Sequence, residues 1–147
     1  MKFRDWFRYI TFGALGINGV ALIVYLISLI GVPLISQTSA IIFLCTIGVN
    51  AVLIFMNFKF EALTIIDVHK WVKLINWSFT LIIVLSSILI AGSQLLYLLA
   101  DAPPYNLSFS LIYGLNILGY ILVYAFGLLS SIYNSTVMNK LEIWIDY

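Results

Sequence analysis

The sequence predicts an all-α integral membrane protein: four transmembrane helices arranged as two hairpins, with both termini cytoplasmic. Three observations carry that prediction, namely the composition, four long apolar runs and the placement of the cations. Of 147 residues, 63% are hydrophobic and 9% charged, against about 25% charged in an ordinary soluble domain. Mean hydropathy is +1.11. A short chain this apolar does not stay dispersed in water and belongs to the membrane class. The net charge of +1 says little, because in a membrane protein the placement of charge matters more than its sum. No nucleic-acid partner is expected, and membrane lipids are the first partners.

The apolar runs are about 10–30, 40–58, 74–100 and 107–133, in a single domain over 1–147. Each meets the requirement of about 20 apolar residues for a helix crossing a ~30 Å hydrocarbon core. Lipid offers no hydrogen-bond partners to the backbone, so such runs are helical. The last two runs are long enough to tilt or protrude.

The first run opens with "RYITFGALGING", residues 8–19. Arg8 marks a membrane surface. Gly13, Gly16 and Gly19 recur every three residues and form a slowly drifting small-residue stripe. Such stripes let helix backbones approach where lipid gives no hydrophobic drive. The stripe predicts helix packing, either within the bundle or between copies of the chain, and Gly114, Gly119 and Gly127 suggest the same on the fourth run. The run is too long for a secretory h-region and has no small-residue cleavage site after it, so a retained helix is expected.

The second run carries Asn50 and the lone cysteine, Cys45. One cysteine forms no internal disulfide, and a small apolar packing role is expected of it. Between the second and third runs, "FEALTIIDVHKWVKL" reads either as a short interfacial amphipathic helix or as the continued ends of the flanking helices. The outer turns are short and broken by Gly31 and Pro33, and by Pro103–Pro104.

The cations set the orientation. Lys2, Arg4 and Arg8 precede the first run, Lys59, Lys70 and Lys73 lie between the second and third, and Lys140 follows the fourth. The other two connections hold none. By the positive-inside rule the termini and the middle loop are cytoplasmic. Trp6, Trp71, Trp77 and Trp144 fall on that same side, where amphipathic rings suit the headgroup layer.

No charged residue sits mid-span, which speaks against a proton relay or voltage sensor. The polar residues inside the spans are neutral: Asn18, Asn50, Asn116, and Gln94 toward the outer end of the third. In the fourth span Tyr113, Asn116, Tyr120 and Tyr124 lie at offsets 0, 3, 7 and 11, which keeps them on one helical face. Asn18, Asn50, Tyr113, Asn116, Tyr120 and Tyr124 read either as interhelical glue or as a polar groove for a headgroup or sugar.

Catalytic and cofactor motifs do not emerge. Asp67-x-His69 supplies two ligands, too few for a metal site, and one histidine does not supply both axial ligands of a membrane haem. No phosphate loop or nucleophile set is recognisable. No enzyme activity, metal or cofactor is expected. A self-assembling pore is also less attractive, because no ring of charge is available to select ions.

The segments "RYITFGAL" (Arg8, Tyr9, Gly13), "GVP" (Gly31–Pro33) and "MNFKF" (Asn57, Phe58, Lys59, Phe60) resemble the motifs of the GtrA-like membrane proteins. The resemblance covers the first 60 residues. Asn18 lies later than the family's asparagine, and the second-span ending recurs only as a displaced Asn139–Lys140. The resemblance implies a four-span protein that helps translocate or present a polyprenyl-phosphate-linked sugar for cell-surface polysaccharide synthesis, beside a membrane glycosyltransferase. It implies a plasma or bacterial inner membrane location. It makes Arg8, Asn57, Lys59 and Lys73 lipid-phosphate-binding residues, with the cations at headgroup depth attracting the anion. The alternative expectation is a non-catalytic accessory, scaffold or immunity-type subunit docking on a larger membrane complex. It predicts a tightly packed bundle with no groove and a glycine face left open.

Overall fold

The computed structural model describes residues 3–31, 36–63, 70–99 and 107–141, with side chains over 5–31, 37–59, 72–99 and 111–137. Four helices make up almost all of it: α1 (Phe3–Ser28), α2 (Ser36–Leu63), α3 (Lys70–Leu99) and α4 (Leu107–Leu141). All four are long and apolar enough to cross a membrane, over Asp5–Ser28, Gln37–Lys59, Val72–Leu99 and Leu111–Val137. The four-helix membrane class read from the sequence is the observed one.

The helices overshoot the apolar runs. The 35 residues of α4 reach about 52 Å at 1.5 Å per residue, well beyond a ~30 Å core. Neither glycine nor proline interrupts the flanks, and a helix that has left the hydrocarbon keeps its backbone bonds satisfied by continuing. Residues 59–63 thus prolong α2, and 70–73 begin α3. Asp67, His69, Trp144 and the prolines of both outer turns lie outside the described residues. At the end of α1 the chain tightens, with Leu29 N donating to Leu26 O at 3.2 Å and Ile30 N to Ile27 O at 3.1 Å.

Each helix packs on its neighbours in sequence, and α4 closes the ring against α1; α2 and α4 touch across the diagonal. Phe7, Met56, Val72 and Val137 form one apolar cluster, which joins the start of α1 and α3 to the end of α2 and α4. The helices therefore alternate in direction, and both described chain ends lie at one end of the bundle, here called the terminal end. Farther along come Ala14, Leu15 and Leu53. A larger cluster around Tyr25, Ile90, Tyr97, Tyr113 and Tyr120 fills the turn end.

The outside is apolar, and the inside mixes apolar clusters with many polar side chains. Among the described residues, buried polar side chains outnumber buried hydrophobic ones, while leucines, isoleucines and valines crowd the exposed face of every helix. In lipid this inversion is the stable arrangement: apolar side chains lose nothing by facing acyl chains, and polar ones find partners only on other helices. Trp6 and Trp77 are exposed at the terminal end, and Trp77 meets Phe58 edge-on at 5.3 Å. Cys45 is exposed. It faces outward from α2, while Thr46, the next residue, is buried.

The closest backbone approaches involve glycines other than most of the stripe on α1. A Cβ added at Gly119 would stand 2.5 Å from Ile90 Cγ1 and 3.3 Å from the Ser86 carbonyl oxygen, so α3 and α4 meet there only because the side chain is missing. Gly127 receives Leu15 in the same way, at 2.8 Å. A Cβ added at Gly19 would stand 3.1 Å from Tyr124 Cε2. Gly13 and Gly16 meet nothing within 4 Å.

Candidate functional site

The candidate site is the column of buried polar side chains that runs along the bundle interior. Every helix supplies inward residues, most of them three, four or seven residues apart: Thr11, Asn18, Tyr25 and Ser28 on α1; Ser39, Thr46, Asn50 and Asn57 on α2; Asn76, Thr80, Ser86, Ser93 and Gln94 on α3; Tyr113, Asn116, Tyr120, Ser131 and Asn134 on α4. These steps return a side chain to the same helical face.

At the turn end four tyrosine rings gather; Tyr25 and Tyr120 stack, and the other contacts are tilted. The Tyr25 and Tyr120 centroids are 5.0 Å apart, and Tyr113 lies 5.7 Å from Tyr25 and 6.0 Å from Tyr97. Hydroxyls between them link the helices. Tyr25 Oη and Ser39 Oγ are 2.6 Å apart, and Ser39 Oγ donates to Gln94 Oε1 at 2.6 Å. Asn116 Nδ2 donates to that same oxygen at 3.1 Å. Ser28 Oγ donates to its own helix at Tyr25 O, 2.6 Å, and pairs with the Tyr113 hydroxyl. Thr46 Oγ1 and Tyr120 Oη are 2.9 Å apart.

Midway, Asn18 Nδ2 donates to Asn50 Oδ1 at 2.9 Å and ties α1 to α2. At the terminal end three asparagines converge from three helices. Asn134 Nδ2 donates to Asn76 Oδ1 at 2.9 Å and to Asn57 Oδ1 at 3.3 Å. Asn57 Nδ2 donates to Ser130 Oγ at 3.1 Å, and Asn76 Nδ2 reaches the Asn57 carbonyl oxygen at 3.3 Å.

The residues singled out from the sequence are distributed unevenly over this frame. Asn18, Asn50, Tyr113, Asn116 and Tyr120 are buried inside the bundle, and Tyr124 is half-buried against Gly19. Asn57 is buried, with both ends of its side-chain amide engaged by α4. Lys59 is exposed, and Arg8 and Lys73 are half-buried. These cations fall on the terminal ends of α1, α2 and α3.

Sequence reasoning overlooked Asn76, Asn134, Ser39, Thr46, Ser130 and Tyr25. A signal existed. Asn134 lies 18 residues beyond Asn116, and Gln94 lies 18 beyond Asn76. Eighteen residues are about five full turns, so each pair shares a face.

The column is neutral, and among the described residues no three His, Cys, Asp or Glu side chains gather as a metal site would require. Its chemistry is donation and acceptance between amides and hydroxyls. Comparison with protein-family models, with curated proteins and with solved structures returns no match. The likeness to GtrA-like proteins therefore rests on the quoted motifs alone.

Proposed function

We propose that the chain is a non-catalytic accessory subunit of a larger membrane complex, docking through the outward face of α1. The observation that carries this reading is the division of labour among small and polar residues. The interior amides and hydroxyls bond to one another across the bundle. Gly13 and Gly16 instead point away from it, with open space where a side chain would be. Close backbone approach is the usual use of such glycines between membrane helices, and among the described residues no other helix takes it up. Purification in mild detergent, with mass spectrometry of what accompanies the chain, tests the reading. A membrane protein partner should copurify with the wild type and be lost with Gly13→Leu/Gly16→Leu. Retention of the partner by that variant would defeat the proposal.

A second reading follows from the cations. Arg8, Lys59 and Lys73 lie at one end of the bundle, at the depth of a lipid phosphate if that end is cytoplasmic. This supports a role in presenting or translocating a polyprenyl-phosphate-linked sugar, with the GtrA-like motifs as its other support. Here Asn57 would act by holding α2 in register rather than by touching phosphate. Polyprenyl phosphate in the purified sample, lost in an Arg8→Gln/Lys59→Gln variant, would favour this reading over the first.

A further inference from the structure

Gln94 on α3 and Asn116 on α4 form an amide pair that is 1% and 0% exposed. One atom of each amide is used: Asn116 Nδ2 donates to Gln94 Oε1, which also accepts from Ser39. The other two, Gln94 Nε2 and Asn116 Oδ1, have no hydrogen-bond partner among the described residues. One is a donor and the other an acceptor, and they belong to side chains already in contact.

Reassigning the amides does not remove the mismatch. If both are turned over, Gln94 Nε2 donates to Asn116 Oδ1 and to Ser39 Oγ, whose proton then goes to Tyr25. Gln94 Oε1 and Asn116 Nδ2 are then left open, again one acceptor and one donor. Turning over only one amide opposes like atoms. Surrounding lipid supplies no partner at this depth. Roughly nine in ten buried polar groups in proteins, or more, have a partner, either protein or ordered water. A buried water typically makes about three hydrogen bonds to groups of this kind.

We propose that one ordered water molecule is bound at the Gln94–Asn116 pair, accepting from the free amide N–H and donating to the free amide oxygen. Water fits because the site offers one donor and one acceptor and no charge. An ion would find no counter-charge there, and an apolar molecule would leave both atoms open. The water completes the bonding between α3 and α4 within the tyrosine cluster.

The test is water-edited NMR on isotope-labelled protein in phosphatidylcholine nanodiscs, which contain no sugar lipid. The expected result is magnetisation transfer from water to the Gln94 side-chain amide several-fold above that to the backbone amides of Ile90 and Ile117. In Asn116→Leu the transfer should fall to the level of those references. Equal transfer to Gln94 and the references in the wild type would overturn the proposal, whether all are dry or all are flooded. Unchanged transfer in a folded Asn116→Leu would overturn it as well. If that variant does not fold, the wild-type comparison decides alone.

Discussion

Asn57 on α2 and Asn134 on α4 meet across the diagonal of the bundle, with Asn134 Nδ2 3.3 Å from Asn57 Oδ1. The same nitrogen lies 2.9 Å from Asn76 Oδ1 on α3, so a single buried amide joins three helices. α2 and α4 touch only sparsely, which makes this bond one of the few direct ties between them.

Replacing that amide should be costly. Asn134→Leu removes two interhelical bonds and leaves two buried amide oxygens short of a donor. Each bond contributes about 0.6 kcal/mol in lipid, and each stranded acceptor adds roughly 1–3 kcal/mol. We expect a loss of about 3–7 kcal/mol on those figures. Reversible unfolding in mixed micelles measures it; a change below ~0.5 kcal/mol, the range of an ordinary surface substitution, would remove the triad from the account.

The Thr46–Tyr120 contact is a simpler case, because both residues have near-isosteric apolar replacements. Thr46→Val and Tyr120→Phe should each destabilise, and the pair together should cost less than the sum. A double-mutant cycle should return a coupling of about 0.6–1.7 kcal/mol. Strict additivity would mean the 2.9 Å contact contributes nothing.

Glycine substitutions should divide by position. Gly119→Ala drives a methyl group into Ile90 and should cost about 1–3 kcal/mol, the usual penalty of overpacking. Gly114 meets nothing within 4 Å, and Gly114→Ala should stay within ~0.5 kcal/mol of wild type. Thermal unfolding of the two variants side by side separates them; equal losses would contradict the close approach of α3 and α4.

Orientation is open to direct labelling. In a Cys45→Ala background, single cysteines replacing Lys2, Asp101 and Asp146 should report two compartments. Positions 2 and 146 should react with a membrane-impermeant maleimide from the cytoplasmic side, and position 101 from the opposite one, as the cation distribution requires. Reaction of position 101 and position 146 from the same side would contradict the alternating bundle.

Much of this architecture was legible in the residues. Four apolar runs determined four helices, because a backbone in hydrocarbon has no partner but itself. The alignment of Tyr113, Asn116 and Tyr120 on one face of α4 also followed from spacing alone, and their burial agrees with it. The direction of that face did not follow. A polar stripe at helical period looks the same whether it lines a groove or locks into its neighbours.

Glycines illustrate the remaining gap. Spacing pointed to Gly13, Gly16 and Gly19 on α1 and to Gly114, Gly119 and Gly127 on α4, yet only Gly19, Gly119 and Gly127 meet another helix, the last two most tightly. Which small residue meets another helix depends on the rotation of each helix about its axis. That rotation is set by partners far apart in the chain, such as Asn57 with Asn134 and Ser39 with Gln94. The sequence by itself determined the number of spans, their helical state and the end at which the cations gather, because those properties arise from each segment meeting lipid separately. Tertiary structure alone decided which polar atoms pair and which faces stay open, because a hydrogen bond between helices exists only once both are positioned.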